Sequence, residues 1–206
     1  MNMTWKYPSP NLLLENQYVT ISEINLAEDF EALYKTVSVE DNDGEDLLKY
    51  HLNAPIINDK KTFHDLMETK LSTKNQLTYK VFSKRLNRIV GCFSLINIKI
   101  EHGTIEVGSI WYESRAQKTE INSNTMLLLF SYIFEELGYR RLEWKCNNLN
   151  EASKAAAIRL GFEYEGLFRQ HFISRGENRD TAWYSIIDKE WNTKKAELLK
   201  KMKKYV

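Results

Sequence analysis

Residues 106–137 read EVGSIWYESRAQKTEINSNTMLLLFSYIFEEL, and this stretch predicts a strand, a polar loop and a helix in that order. The strand covers 106–112, and the loop over 113–121 contains two basic residues. The helix is predicted to begin within 122–125, where Asn122, Ser123 and Asn124 are good N-caps. Its apolar residues recur at helical spacing: Met126, Leu129, Phe130, Ile133 and Leu137.

A basic loop that leads into a helix N-terminus is typical of an anion-binding site. The free backbone N–H groups of the first helical turn point toward the ligand, and the helix dipole favours negative charge there. We therefore interpret 106–137 as an element that holds a phosphate-bearing molecule. The alternative interpretation is an ordinary strand–helix unit with a solvated loop, because such units are common.

The composition indicates a globular protein. The chain has 206 residues, of which 43% are hydrophobic and 12% aromatic, enough to bury a core. Its formal net charge is +1, which gives no reason to expect a nucleic-acid partner. The sequence contains no apolar run of the length that crosses a membrane and no signal peptide at its start. We expect one domain over 1–206, a cytoplasmic location, no membrane partner, and a homodimer as one assembly that the sequence allows.

Cysteine and histidine usage gives no reason to expect a metal. Cys92 and Cys146 are the only cysteines, and their apolar, strand-like surroundings predict buried thiols in a reducing compartment. The four histidines are scattered and show no ligand spacing. The lysines near the C-terminus predict the solvated face of a helix rather than a membrane or nucleic-acid surface.

Apolar or alternating runs bounded by turn residues predict seven strands. They are 18–24, 77–82, 89–100, 105–112, 141–146, 162–173 and 181–187. Capping residues and helical spacing predict further helices. These are a helix after Asn25, a short one at 47–52, one opened by Asn58 or Asp59, one between Asn150 and Gly161, and one at 191–205. The three middle strands should form an antiparallel meander, and 141–146 should lie parallel to the strand before the central helix. Gly91 predicts a bulge or a close backbone approach.

Several short motifs follow one another in a recognisable order. They are EELGYRRL at 135–142, NEAS at 150–153, LGFE at 160–163, EG at 165–166, RQH at 169–171 and NRDT at 178–181. Their order and spacing resemble the GNAT superfamily of acetyl-CoA-dependent N-acetyltransferases, and most closely its RimJ/RimL-type ribosomal-protein N-terminal acetyltransferases. The resemblance covers about 18–187 and leaves 188–206 as a lysine-rich C-terminal helix.

The resemblance implies a fold and a reaction. The fold is α/β, of the α+β GNAT type, with a central mixed, mostly antiparallel sheet of about seven strands. Helices cover both faces, and a parallel, splayed strand pair marks the cofactor site. The reaction is direct transfer of an acetyl group from acetyl-CoA to a primary amine, on a peptide or protein N-terminus or on a small molecule, in a ternary complex. A covalent cysteine intermediate is not expected, because neither cysteine has a nearby histidine or basic loop to lower its pKa.

The sequence departs from the family pattern at the pyrophosphate loop. The family's loop runs Arg/Gln-x-x-Gly-x-Gly/Ala, whereas 110–137 contains no glycine. Alignment from the helix puts Gln117 first and brings Lys118, Glu120 and Asn122 near the glycine positions. A Cβ atom there crowds a phosphate, so we expect side chains to hold the cofactor: Gln117, Lys118, Thr119, Asn122, Ser123 and Asn124. The departure also keeps open a non-catalytic, acyl-CoA-binding or regulatory protein.

The remaining cofactor and catalytic residues are carried over from the resemblance. Backbone groups of 110–112, which are Ile110, Trp111 and Tyr112, should hold the pantetheine arm, and Asn150 should bond it while it caps a helix. Many family members have a tyrosine seven residues after this asparagine, but Ala157 stands there. Ser153 matches instead the serine of the RimL-like branch, which lies near the thioester sulfur.

Glu106 is the candidate base, since partial burial among apolar neighbours raises a carboxyl pKa, and a water molecule should relay the proton. Its alternative role is a surface or substrate-binding carboxylate. The alternative role of Trp111 is packing in the core, and that of Ser153 is a place in a capped helical turn. The acceptor pocket should come from the N-terminal third and the last hairpin, with Leu48, Tyr50, His51, Arg169 and His171.

Overall fold

The computed structural model describes residues 4–52 and 54–203. In this part of the chain eight strands form one sheet in the spatial order β1-β2-β3-β4-β5-β6-β8-β7. The strands are β1 Leu13–Glu15, β2 Val19–Glu23, β3 Leu77–Ser83, β4 Arg88–Lys99, β5 Thr104–Tyr112, β6 Arg141–Asn147, β7 Glu163–Ser174 and β8 Glu177–Ile187. The helices are α1 Leu26–Lys35, α2 Lys60–Ser72, α3 Glu120–Ser131, α4 Glu151–Leu160 and α5 Asp188–Met202. The predicted α/β class with a mixed, mostly antiparallel sheet is confirmed.

Local capping chemistry explains why two predicted helices, α2 and α4, form where expected. Asp59 accepts a hydrogen bond from the Thr62 N–H at 2.8 Å and begins α2. Asn150 accepts one from the Ser153 N–H at 3.0 Å and begins α4. Gly161 then ends α4 in the left-handed conformation, with φ of 100°. Helix α1 follows Asn25 as predicted.

Several predicted boundaries were wrong. Strand β1 was missed because it has only three residues and follows a proline-containing lead-in. Helix α3 begins at Glu120, earlier than predicted, because Thr119 is the N-cap and accepts a bond from the Ile121 N–H. Strand β8 begins at Glu177 rather than at 181, since the hairpin turn is confined to Arg175–Gly176. Helix α5 begins at Asp188, and residues 204–205 of the predicted C-terminal helix lie outside the described residues.

The short helix predicted at 47–52 is a series of turns. The side chain of Asp46 accepts from the Leu48 N–H, which favours a turn over a helix. Arg175, from the β7–β8 turn, donates to the carbonyl oxygens of Leu48 and Ala54 and forms an ion pair with Asp46. These contacts attach residues 45–52, here called the 45–52 loop, to the β7–β8 hairpin.

Helices cover both faces of the sheet, as expected. One core cluster joins α3, α4 and α5 to one face, and contains among others Met126, Phe130, Leu160 and Trp191. The other joins α1 and α2 to the opposite face through residues such as Leu33 and Phe63. Burial of these apolar stripes supplies the main stabilising free energy of the fold.

Strands β5 and β6 form the parallel pair that the sequence predicted. Their pairing joins Thr104–Glu106 to Arg141–Glu143 and goes no further, although both strands continue. Strand β5 stays paired with β4 up to Tyr112. The two parallel strands therefore separate beyond Glu106 and leave an opening in the sheet.

Irregular backbone shapes β5 and β4 near this opening. The β4–β5 register gains one residue on β5 between Gly108 and Trp111, where Ser109 has φ of 50°. At Gly91 of β4, an added Cβ would overlap the carbonyl oxygen of Trp111 and press on Tyr112. The predicted close backbone approach at Gly91 is thus confirmed.

We expect Gly91→Ala to lower the free energy of unfolding by about 1–3 kcal/mol, because β5 must move away from β4 to make room for the methyl group. Urea denaturation of both proteins measures this. Gly166→Ala in β7 is the control, since a Cβ at Gly166 meets no atom within 4 Å. Equal stability of Gly91→Ala and the parent would contradict the close approach.

Candidate functional site

A cavity of about 1120 Å³ occupies the opening between β5 and β6. Its walls come from these strands, the N-termini of α3 and α4, the 45–52 loop and the β7–β8 hairpin. Most predicted site residues line it: Tyr50, His51, Glu106, Ile110, Trp111, Tyr112, Gln117, Lys118, Thr119, Asn122, Asn150, Ser153 and His171. Four predicted residues do not line it, namely Leu48, Ser123, Asn124 and Arg169.

The β5 wall presents backbone groups to the cavity beyond the bulge. Strand β6 offers no pairing partner to β5 past Glu106. The Trp111 side chain turns away into the α1–α2 core, where its indole N–H donates to Thr36 Oγ1 at 2.9 Å. Core packing of the Trp111 ring, one of the two interpretations from the sequence, is therefore what the structure has. A backbone role for this residue is compatible with that packing.

His51 fixes the carbonyl group of Ile110. Its Nε2 lies 3.0 Å from the Ile110 carbonyl oxygen. Burial lowers the pKa of His51 to about 3, and nearby Lys70 acts in the same direction. The ring is therefore neutral at physiological pH and donates through Nε2–H. Its Nδ1 lone pair is buried and has no partner among the described residues.

The loop before α3 keeps an unusual backbone without glycine. Lys118 has φ of 57°, a left-handed conformation that glycine usually adopts. Gln117 donates to the Tyr112 carbonyl oxygen at 3.1 Å, and Thr119 donates to that of Ala116 at 2.7 Å. These bonds hold the loop just before α3, and Gln117, Lys118 and Thr119 all line the cavity.

Arg159 of α4 adds a cation that the sequence reasoning missed. It lines the cavity, and its Nη1 donates to Ser123 Oγ at 2.6 Å. The prediction that Ser123 and Asn124 face the ligand is corrected, because both are buried and used elsewhere. Asn124 bonds Asn16 and the Glu120 carbonyl oxygen. Only the packing of α4 beside α3 could have identified Arg159, and the sequence does not show it.

At the N-terminus of α4, Ser153 has a hydroxyl proton to donate. Its Oγ accepts a bond of 3.0 Å from the indole N–H of Trp144. An indole N–H only donates, so the serine O–H is left to donate to another acceptor, and the thiol of Cys146 lies close enough to accept it. Its backbone N–H is the one that Asn150 caps, so Ser153 belongs to a capped turn and also lines the cavity.

Glu106 is 4% exposed and accepts two hydrogen bonds at the closed end of the cavity. Asn97 Nδ2 and Lys145 Nζ both lie 2.7 Å from its Oε2. Asn97 occupies a bulge in β4 with φ of 49°, and Lys145 also contacts Glu143 at 2.8 Å. The Oε1 atom of Glu106 makes no bond with the described residues. The expected burial is present, but the sequence did not predict the ion pair with Lys145.

The acceptor side differs from the sequence prediction. Arg169 is exposed and outside the cavity, because the β7–β8 register is irregular between Phe168 and Phe172 and Gln170 has φ of 48°. This bulge breaks the alternation that would have placed Arg169 beside His171. Leu48 is buried in the α1–α2 core.

Three residues of β8 line the cavity that the sequence did not single out: Arg179, Thr181 and Trp183. The sequence reasoning placed the first of them in a hairpin turn. Its position in a strand, with side chains alternating toward one face, was the signal that could have found it.

Both cysteines are free and buried, and burial raises the pKa of Cys92 to about 12 and that of Cys146. Across 4–52 and 54–203, no group of three or more His, Cys, Asp or Glu side chains could hold a metal ion. None of the helices described is long and apolar enough to cross a membrane.

Known proteins share this architecture. The structure of a GCN5-related N-acetyltransferase from Brucella melitensis superimposes with a TM-score of 0.90 and 30% identity, covering 97% of this chain and 89% of that one. Microcin C7 self immunity acetyltransferase MccE, in complex with acetyl-CoA and AMP, gives a TM-score of 0.71 at 22% identity, covering 84% and 93%, and so shares the fold.

Proteins with similar sequences are also acetyltransferases by name. The Bacillus subtilis (strain 168) protein named "Putative ribosomal N-acetyltransferase YdaF" is 30% identical over 107 residues, which are 52% of this chain and 58% of the relative. A second B. subtilis (strain 168) relative, named "Uncharacterized N-acetyltransferase YoaA", is 26% identical over 116 residues, which are 55% of this chain and 64% of the relative. Residues 19–163 match the family model of the acetyltransferase (GNAT) domain. This chain belongs to the GNAT acetyltransferase family.

Proposed function

We propose that this protein transfers the acetyl group of acetyl-CoA to a primary amine by direct attack in a ternary complex. The observation that carries the proposal is the opening between β5 and β6. The N-terminus of α3 lies on its wall, Ser153 is beside it, and the buried carboxylate of Glu106 is at its closed end. One cavity therefore offers an anion site, a proton donor and a proton acceptor.

The residues present fit the cofactor. The first N–H groups of α3, Lys118 and Arg159 together suit a pyrophosphate, since a helix N-terminus and cations both favour negative charge. The unpaired β5 edge suits an extended pantetheine arm, as a further strand would. Asn122 Oδ1, a buried acceptor without a partner among the described residues, suits an N–H donor.

Acetyl-CoA supplies an acetyl thioester, and the chain supplies proton acceptors and donors around it. Glu106 accepts the proton of the attacking amine through Oε1, directly or through one water molecule. Asn97 and Lys145 fix the orientation of that carboxylate by bonding its other oxygen. Ser153, whose Oγ accepts from Trp144, donates its hydroxyl proton to the departing thiolate. A backbone N–H of 110–112 polarises the thioester carbonyl.

A non-catalytic acyl-CoA-binding protein is the second candidate. The Glu106–Lys145 ion pair favours it, because a carboxylate held by an ammonium group is a structural unit in many proteins. Cofactor binding without turnover on any amine would support this candidate. Acceptors to be compared include peptide N-termini, to which the name of the relative YdaF points, together with amino acids, polyamines and aminoglycosides.

We expect Lys118→Ala and Arg159→Ala each to weaken CoA binding about tenfold, or ~1.4 kcal/mol, because each removes a cation from the pyrophosphate site. Isothermal titration calorimetry with CoA measures the effect. Arg115→Ala is the matched control, since Arg115 is an exposed cation in the same loop and does not line the cavity. An unchanged Kd for both variants means that the pyrophosphate is held elsewhere.

Glu106→Gln and Ser153→Ala should each lower kcat/KM by about 10²–10⁴, the usual contribution of a general base or acid. A thiol-release assay over the acceptor panel measures turnover, and calorimetry checks that CoA still binds. Glu165→Gln is the control, because Glu165 is exposed and outside the cavity. Full turnover in both variants would show that the catalytic assignment is wrong.

The low pKa of His51 predicts a pH-dependent stability. Between pH 6.5 and about 3 the unfolded chain binds a proton at His51 and the folded chain does not. The contribution of His51 to the free energy of unfolding is therefore fully present above pH 6.5 and is lost as the pH falls toward 3. The free energy of unfolding changes by up to ~1.4 kcal/mol per pH unit in this range.

Urea denaturation at several pH values should show a smaller slope in His51→Gln, which keeps an N–H donor for the Ile110 carbonyl but cannot titrate. His64→Gln, on the exposed side of α2, is the control. If His51→Gln and the parent lose stability in parallel on acidification, His51 is not held neutral.

A further inference from the structure

The cavity wall formed by β8 carries a row of polar side chains that acetyl transfer as proposed above does not use. In the register of the sheet, Trp183 lies opposite Lys145 and Thr181 opposite Asn147. Directly opposite residues share a face, and residues two apart on a strand do as well. Arg179 is the next residue of this row, and all three β8 residues line the cavity.

Glu106 belongs to the same face. It lies opposite Glu143 in the parallel pair, and Glu143 is two residues from Lys145 on β6. The candidate base and the β8 row therefore border one continuous surface. A molecule whose amine approaches Glu106 has the β8 row within its surroundings.

Arg179 is a buried cation without an anion. Its side chain is 8% exposed, and its Nε and Nη1 atoms are buried with no hydrogen-bond partner within residues 4–52 and 54–203. No carboxylate of these residues lies within ion-pair distance of it, in contrast to Lys145, which contacts Glu106 and Glu143. An unpaired buried charge is strongly unfavourable, so its retention calls for a partner that arrives with a ligand.

The other two side chains of the β8 row also have buried polar atoms without a hydrogen-bond partner among the described residues. These atoms are Thr181 Oγ1 and Trp183 Nε1. A guanidinium, an indole N–H and a hydroxyl can all donate hydrogen bonds. The wall is therefore rich in unused donors, which suits an oxygen-rich anion and does not suit an ammonium group.

We propose that Arg179 binds an oxyanion, a carboxylate or a phosphate, carried by the acceptor molecule, so that the preferred substrates are amines that also bear an anionic group. This proposal rests on the acetyl transfer proposed above and names the class of acceptor. Planar guanidinium groups match the geometry of both anions. Polycationic acceptors such as polyamines are disfavoured, since Arg179 repels them.

Burial lowers the pKa of Arg179, while Cys146 and Glu106 oppose that change. The guanidinium nevertheless stays charged at neutral pH. The carboxylates that line the cavity nearby are paired with other cations: Glu106 and Glu143 with Lys145, and Asp46 with Arg175. His51 is neutral and adds no charge.

The test uses matched acceptor pairs that differ in one anionic group. They are serine against serinamide, O-phosphoethanolamine against ethanolamine, and the peptide Glu-Ala-Ala-amide against Gln-Ala-Ala-amide. In the parent protein we expect kcat/KM to favour the anionic member of at least one pair by tenfold or more. The pair that shows the preference identifies the source of the anion as a free amino acid, a phosphate or a peptide side chain.

In Arg179→Met the preference should disappear, through a KM at least tenfold higher for the anionic member and a nearly unchanged KM for the neutral one. Arg179→Lys should restore part of the preference, because it keeps the charge. Arg169→Met is the control, as an exposed arginine of the same hairpin outside the cavity. The Kd for CoA should be the same in all of these variants.

Three results would overturn the proposal. One is equal kcat/KM for both members of every pair in the parent protein. Another is a loss in Arg179→Met that is equal for anionic and neutral acceptors. The third is weaker CoA binding in Arg179→Met at a preserved melting temperature, which would assign the guanidinium to the cofactor.

A failure of acetyl transfer itself gives a different pattern. The parent protein then binds CoA but acetylates none of the six acceptors. In that case calorimetry of O-phosphoethanolamine and serine with the CoA complex still tests Arg179. Binding that is lost in Arg179→Met and retained in Arg169→Met supports the oxyanion site, and absence of binding to the parent protein refutes it. If Arg179→Met does not fold, Arg179→Lys and the acceptor pairs in the parent protein decide.

Discussion

The early end of pairing between β5 and β6 is the constraint on which the rest of the site depends. The two strands share only a short parallel ladder at Thr104–Glu106 and Arg141–Glu143. Strand β5 then follows β4, to which it is joined through the bulge at Ser109 and the close contact at Gly91. Backbone groups inside a sheet need partners, and the separation of the strands leaves such groups facing a cavity. The helices that follow each strand, α3 and α4, both begin at that cavity because each connection is short, and Asn122 and Asn150 line it near their N-termini.

Charge is distributed unequally along the cavity that this separation creates. At the closed end, Lys145 lies between two carboxylates, and its ammonium group sits 3.9 Å from the centre of the Trp183 ring. These charges satisfy one another and hold Glu106 in one orientation. Arg179 has no such partner within the described residues. The charges around Lys145 are therefore paired within the protein, whereas Arg179 is the residue to which we assign an anion of the ligand. The first group positions the Glu106 carboxylate, and the second is proposed to recognise the substrate.

Residues close together in the sequence predicted most of the fold. The rest depends on contacts between residues that are far apart in the sequence. The caps at Asp59, Asn150 and Gly161 lie within one turn of the helices they limit, so their effect is visible in sequence. The parallel pair followed from a strand–helix–strand order. The turns at 47–52 and the path of β7 depend instead on contacts between distant residues, from Arg175 to the 45–52 loop and from Asp180 to the Gln170 N–H.

The site was predictable to a similar degree. Most predicted residues of 106–137 and of the α4 N-terminus line the cavity, because the order of the motifs predicts their place in the fold, whereas Ser123 and Asn124 do not. Arg179 was missed because it was placed in the hairpin turn rather than in β8, and Arg159 and Lys145 because their partners in space, Ser123 and Glu106, are far away in sequence. Arg169 was assigned wrongly because an irregular register in β7 changes which side chains face inward.

The loop before α3 shows how backbone strain can indicate function where a motif is missing. Lys118 adopts a left-handed conformation that costs a residue with a Cβ about 1–2 kcal/mol. Such strain persists only where the surroundings fix it, and here Gln117 and Thr119 do so by bonding the Tyr112 and Ala116 carbonyl groups. Without glycine the loop thus keeps a turn that glycine would adopt at no cost. The turn places Lys118 on the cavity wall just before the N-terminus of α3, so the conformation, rather than the residue type, is what the proposed anion site requires.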